Sequence, residues 1–187
     1  MDKIKKITTK IICSINNVEK KILPLLQNKI FHVTSYKSYK AIIKTGYIKH
    51  NQNNQFSYTY GQSINSFGRK RAYVCLFDLR NVTDESKKYF QDCDFLNFNN
   101  VKNKSNVYFI ISNRIYPQII SNAKAIQESY SSGEFNAIVP FLECFYPEKI
   151  NVNDIEQIII VKYLIPKATI RENEIWNMIE SQMLNQK

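Results

Sequence analysis

Apolar residues near the start of the chain recur at helical spacing. Ile4, Ile7, Ile11 and Ile12, then the apolar positions of residues 18–26 with lysines between them, predict helix over residues 3–28. Pro24 is expected to break that stretch into two helices or a helix and a turn. Residues 29–34 (KIFHVT) read as a short strand. In SYKSYKAIIKTG, which follows, Ser35 is placed to cap a helix and Gly46 to end it in a left-handed turn. Tyr39, Ile42 and Ile43 form the inner face of that helix. Tyr47 and Ile48 begin a second short extended piece.

The next stretch, residues 49–71, is polar and long for a connection inside a compact domain, which marks a functional or disordered loop. Its aromatic residues Phe56, Tyr58, Tyr60 and Phe67 argue against simple disorder. Residues 72–79 and 107–112 read as strands, with an irregular excursion between them. A helix is expected over residues 116–128, with Pro117 in its first turn. A loop follows at 129–136, then a strand at 137–145 with Pro140 at an edge or bulge. Residues 153–157 suit one helical turn, 158–163 a strand, and 171–184 an amphipathic helix. Helix, strand, helix, then several strands with few helices between them favours an α+β class over a doubly wound sheet.

Composition supports one folded domain of 187 residues with 44% hydrophobic and 22% charged residues. The net charge of +10 either marks a positive field that attracts polyanions or reflects a Lys- and Asn-rich composition without functional meaning. No basic run is dense enough to act as a tail. Cys13, Cys75, Cys93 and Cys144 form no C-x-x-C pair, and with His32 and His50 they show no metal-ligand spacing. Free thiols in a reducing compartment are the simpler reading. No apolar run approaches the roughly 20 residues of a membrane span, and the basic N-terminus lacks a leader's apolar core and cleavage region, so a cytoplasmic protein is expected. The phosphate-binding patterns G-x-G-x-x-G and G-x-x-x-x-G-K-[ST] are absent from the sequence.

Three features carry candidate chemistry. The first is FHVTSYKSYKAIIKTGYI, in which strand alternation sets His32 and Thr34 on one face. The second is the aromatic and polar stretch from Tyr58 to Arg71, just before a strand. The third is Glu143, a carboxylate inside an otherwise apolar strand. Each has a plainer reading. His32 could be a half-buried strand residue bonded to a backbone carbonyl, Thr34 a strand end or helix cap, Tyr58 and Tyr60 ordinary surface or core aromatics, and Glu143 a residue on the solvent face of an edge strand. Arg69, Lys70 and Arg71 could be a solvated cluster.

Together these features resemble the ADP-ribosyltransferase superfamily, in the branch that includes DarT-like toxins, poly-ADP-ribose polymerases and RNA 2′-phosphotransferases. The H-x-T, helix, G-x-I opening is the strongest part of the likeness. The later VPFLECFYPEKINVNDIEQIIIV is similar to the family's loop, catalytic-glutamate strand and following strand. The likeness spans about residues 29–161. It implies a split, antiparallel or mixed sheet as a core over about residues 29–165, with helical flanks at 1–28 and about 170–185. It implies NAD as co-substrate. His32 would bond a ribose hydroxyl and Thr34 would hold the same end. Tyr58 or Tyr60 would stack on nicotinamide, and Arg69, Lys70 or Arg71 would neutralise the pyrophosphate. Glu143 would be the catalytic carboxylate, stabilising the positive charge that develops on the ribose. The 129–136 loop would help to recognise the acceptor. Phe141, two residues before Glu143, stands where some members have a second Glu or Gln, which makes arginine modification less attractive.

The resemblance implies an NAD-dependent ADP-ribosyltransferase, in the role of a toxin, phage-defence or counter-defence effector acting on nucleic acid or protein. Two other classes compete. One is a non-catalytic protein of the same fold, an antitoxin or regulator binding a nucleotide or partner protein. The other is an unrelated nucleic-acid-binding module whose aromatics stack on unpaired bases. The discriminating geometry is whether His32 and Glu143 face one cleft. Glu143 buried away from His32, or on the opposite sheet face, would sink the catalytic assignment.

Overall fold

The structure, a computed structural model, describes residues 7–14, 18–53, 65–93, 95–96, 105–133 and 137–164. The first element departs from the helix expected there. It is a strand, β1 (Ile7–Ser14), which includes the β-branched residues Thr8, Thr9, Ile11 and Ile12. Residues stiff at their first side-chain torsion suit a pleated surface. β1 pairs in parallel with the last strand, β8 (Ile155–Leu164), from Ile7 opposite Gln157 to Ser14 opposite Leu164. Helix α1 (Val18–Leu26) follows and contains Pro24, which therefore does not break it. The proline lies in the last turn, where it removes the bond its N–H would donate to the Lys20 carbonyl without ending the helix.

The next elements match expectation, except that Ile43, expected on the inner face of the helix after Ser35, is 44% exposed. Strand β2 (Ile30–Thr34) leads into α2 (Tyr36–Thr45) and β3 (Tyr47–Ile48). The Ser35 hydroxyl accepts the Ser38 N–H at 3.2 Å. Gly46 closes the helix at φ 78°, donating its N–H to the Ile42 carbonyl at 2.8 Å. Then come α3 (Phe67–Lys70), β4 (Val74–Asp78), α4 (Asp84–Lys87), a 3₁₀ segment and β5 (Ser105–Ile111).

The helix expected at 116–128 divides in two. Pro117 sits in a 3₁₀ segment, Asn113–Gln118, and Ser121 caps a new helix, α5 (Asn122–Ser131), by accepting the Lys124 N–H. α5 also occupies the start of the loop expected from residue 129. Strand β6 (Glu143–Tyr146) is shorter than expected because residues 139–143 form a turn. β7 (Ile150–Asn151), a 3₁₀ turn and β8 complete the described chain.

The architecture is α+β. Six strands form a mixed sheet in the order β1-β8-β5-β2-β4-β6, and β3 pairs with β7 separately. Alternation divides the sheet's side chains between two cores. On one face Phe31, Val33, Phe77, Tyr108, Ile110, Ile159 and Val161 pack with Ile22 and Leu26 of α1. On the other face Ile30, Leu76, Val107, Phe109, Ile158, Ile160 and Cys144 pack with Tyr39 and Ile42 of α2. Phe67, Ile120, Ala125 and Phe145 form a third cluster under α3 and α5. Among the described residues, no helix is long and apolar enough to cross a membrane.

Candidate functional site

His32 takes the plainer of its two roles. Its strand pairs with β4 only at Ile30–Asp78 and Phe31–Phe77. Beyond that point the His32 ring stands in for the backbone ladder, with Nδ1 3.0 Å from the Cys75 carbonyl oxygen. A carbonyl only accepts, so Nδ1 carries the proton. Burial lowers the histidine pKa, and the bond to Cys75 opposes that shift. The net direction favours the neutral ring, which lies 6.3 Å from that of Phe109. Thr34 shares this face and is buried opposite Val107.

Glu143 lies on the other face. Phe31 and Phe77 are cross-strand partners with stacked rings 5.9 Å apart, so they point the same way. Phe77 is the partner of Glu143 in β6. His32 follows Phe31 in an extended strand and must point oppositely. The expectation that His32 and Glu143 face one cleft is thus corrected, and their joint catalytic assignment falls. Strand parity is the physical reason: H-x-T and the glutamate sit at positions of opposite phase.

Glu143 is no solvent-facing edge residue, being only 7% exposed. Its carboxylate accepts the Val139 N–H at 3.0 Å. The Cys75 thiol, diagonally across on β4 and on the same face, also bonds to it. Desolvation outweighs both bonds and raises the Glu143 pKa to about 7. The same burial, with the nearby carboxylate, pushes the Cys75 thiol well above its ordinary range. Cys75 is therefore a thiol donor and no thiolate nucleophile. Ser66 completes the cluster, its Oγ 3.8 Å from Cys75 Sγ. Gly68 is required beneath it, since a Cβ there would come within 2.5 Å of that sulfur.

The turn before Glu143 is built at some cost. The Glu143 N–H closes it on the Val139 carbonyl at 3.1 Å. Phe141, inside it, has φ 62° and a half-exposed ring beside Tyr89. A side chain in the left-handed region costs roughly 1–2 kcal/mol. Asn122, the first residue of α5, offsets that cost. Its Nδ2 donates to the carbonyls of Val139 at 2.9 Å and Glu143 at 2.8 Å. Its Oδ1 accepts the Phe141 N–H at 2.8 Å. Hydrogen bonds of this kind are worth about 0.5–1.5 kcal/mol each.

The basic residues adjoin Ser66 and Gly68 in the chain. Arg69 and Lys70 belong to α3, and Arg71 follows it with its guanidinium 5.9 Å from the Phe67 ring centre. Arg71 and Tyr73 line an open groove of about 430 Å³ with Gln127, Glu128, Ser131 and Ser132 of α5. α3 is tied to the turn side of Glu143 by a parallel bridge between Ser66 and Ala137. Tyr58 and Tyr60 lie outside the described residues, as do residues 134–136 of the expected acceptor loop and the C-terminal helix. Among the described residues, no cluster of three or more His, Cys, Asp or Glu side chains is arranged for a metal ion.

Sequence reasoning singles out Glu143 but misses Cys75, Ser66 and Asn122. Cys75 is hidden inside an apolar strand, and no local pattern relates it to a carboxylate 68 residues later. Pro140 is the one available signal for the turn. Comparisons of the chain with protein-family models, curated proteins and solved structures found no match.

Proposed function

We propose that the functional centre of this chain is Glu143 and that its activity is transfer of ADP-ribose from NAD, without a catalytic part for His32. The observation that carries this reading is a desolvated carboxylate held by one backbone N–H and a thiol, with its pKa near 7. Perturbed groups of this kind gather at functional sites. The carboxylate satisfies the Val139 N–H and the Cys75 thiol, but its burial carries a desolvation cost that an apolar side chain would avoid.

Near neutral pH a share of the Glu143 population is ionised. The ionised form would stabilise the positive charge that develops on the ribose as nicotinamide leaves, and grip the adjacent hydroxyl. It is also poised to deprotonate an acceptor. Arg69 and Arg71, on the α3 segment bridged to the Glu143 turn, are suited to the NAD phosphates. The separation of β2 from β4 beyond Phe31 supports a split-sheet reading of the fold, as the resemblance implies.

The decisive experiment is nicotinamide release from NAD by the purified protein, with DNA, RNA and protein acceptors supplied. Release is expected from the unaltered protein and from folded His32→Ala, and not from Glu143→Gln. Loss of release in folded His32→Ala would return the histidine to the site and overturn the reading of Glu143 as a centre that works without it.

One observation favours a second reading. With His32 and Glu143 on opposite faces, the cofactor pocket implied by the resemblance is incomplete, as in a non-catalytic regulator or antitoxin of the same fold. That protein would bind a nucleotide or polyanion with steep salt dependence and release no nicotinamide. NAD binding without turnover under every acceptor condition would establish it.

A further inference from the structure

We propose that Asn122 is the positioning residue for Glu143, acting through the backbone of the turn at residues 139–143. The Glu143 carboxylate depends on the Val139 N–H, 3.0 Å away. That N–H points at the carboxylate only while the turn keeps its shape. The turn contains a phenylalanine at φ 62°, a conformation that L side chains rarely adopt. Left to itself, this segment would relax. Asn122 holds it at three points: the carbonyls of Val139 and Glu143 and the N–H of Phe141. Three of the four bonds that an amide side chain can make are thus spent on five residues of one turn.

The helix fixes the amide in its turn. Asn122 follows the cap Ser121, and α5 packs Ala125 against Phe145 in the strand that carries Glu143. A rigid helix end therefore sets the position of a neighbouring carboxylate without touching it. Among the described residues, the groups on the Glu143 face that bear on its titration are the Cys75 thiol of β4 and, through that thiol, Ser66. The Asp78–Arg80 ion pair and Cys144 belong to the opposite face by alternation. The proposal bears on NAD chemistry only through the reading of Glu143 as the working carboxylate, but its test needs no NAD.

The test is the titration of Glu143 by carbon-detected NMR of the side-chain carboxyl, assigned by the signal that Glu143→Gln removes. In Asn122→Ala the turn is expected to release the Val139 N–H, and the apparent pKa of Glu143 to rise by about one unit. A Glu143 titration unchanged in folded Asn122→Ala overturns the proposal, because a merely structural asparagine would lower stability and leave that carboxyl alone. Hydrogen exchange of the unaltered protein supplies a second check that does not depend on the variant folding. The Val139 and Phe141 amides are expected to be protected like the amides of β6. Exchange as fast as in exposed loops would also overturn it.

Discussion

Replacing Glu143 by glutamine is expected to change the pH dependence of stability in a defined direction. The folded-state pKa of Glu143 is about 7, raised by burial from a reference of 4.5. A carboxyl whose pKa is raised on folding holds its proton more tightly in the native state. Below pH 4.5 both states are protonated. Between about 4.5 and 7 the unfolded chain has lost the proton and the native one keeps it, so stability falls as pH rises. Above about 7 both are ionised, and the native state bears the full cost of a buried charge. From pH 5 to pH 8 the linkage amounts to about 2–3 kcal/mol. Glutamine has nearly the same shape, can accept the Val139 N–H and does not ionise in this range. The assay is urea unfolding of both proteins at several pH values. The stability of the unaltered protein minus that of Glu143→Gln should fall by about 2–3 kcal/mol between pH 5 and pH 8, a relative Tm shift of roughly 5–10 °C for a chain of this size. A difference that stays constant with pH would refute the claim that Glu143 is buried and desolvated.

Other outcomes follow from local geometry. Gly46→Ala should cost about 1 kcal/mol, since φ 78° disfavours a Cβ although no atom lies within 4 Å of it; unfolding midpoints check this. Gly68→Ala should cost about 1–3 kcal/mol, because its Cβ would meet Cys75 Sγ at 2.5 Å and the Phe145 ring at 3.0 Å. Adding Cys75→Ala should recover part of that loss in a double-mutant cycle, and strict additivity would show that the two sites are not in contact.

The legible parts of the fold are those whose signals are local. The run from residue 30 to residue 48 is readable because Ser35 caps its own helix at Ser38 and Gly46 ends it with a positive φ. β5 and β8 are readable as continuous apolar runs, as befits strands covered on both faces. β1 misleads because its isoleucines also fit a helical period, and its partner β8 lies far along the chain. Local pattern does not report that pairing.

The site is legible one residue at a time and illegible as an arrangement. Glu143 stands out as a carboxylate among apolar neighbours, and the structure buries it. His32 stands out as well, but the relation between the two depends on strand register across β2, β4 and β6. A single residue of phase decides which face each side chain occupies. The Asn122 clamp is unreadable because it joins a helix start to a turn formed by residues further along the chain.

The central claim is that Glu143 is the working carboxylate of an NAD-consuming site. Nicotinamide release from NAD, followed from pH 5.5 to 8.5 with mixed acceptors, tests it most directly. The rate should rise with pH to a plateau, with an apparent pKa of about 7, and should be absent in Glu143→Gln. No release at any pH from the folded protein, or equal release by Glu143→Gln, would contradict it.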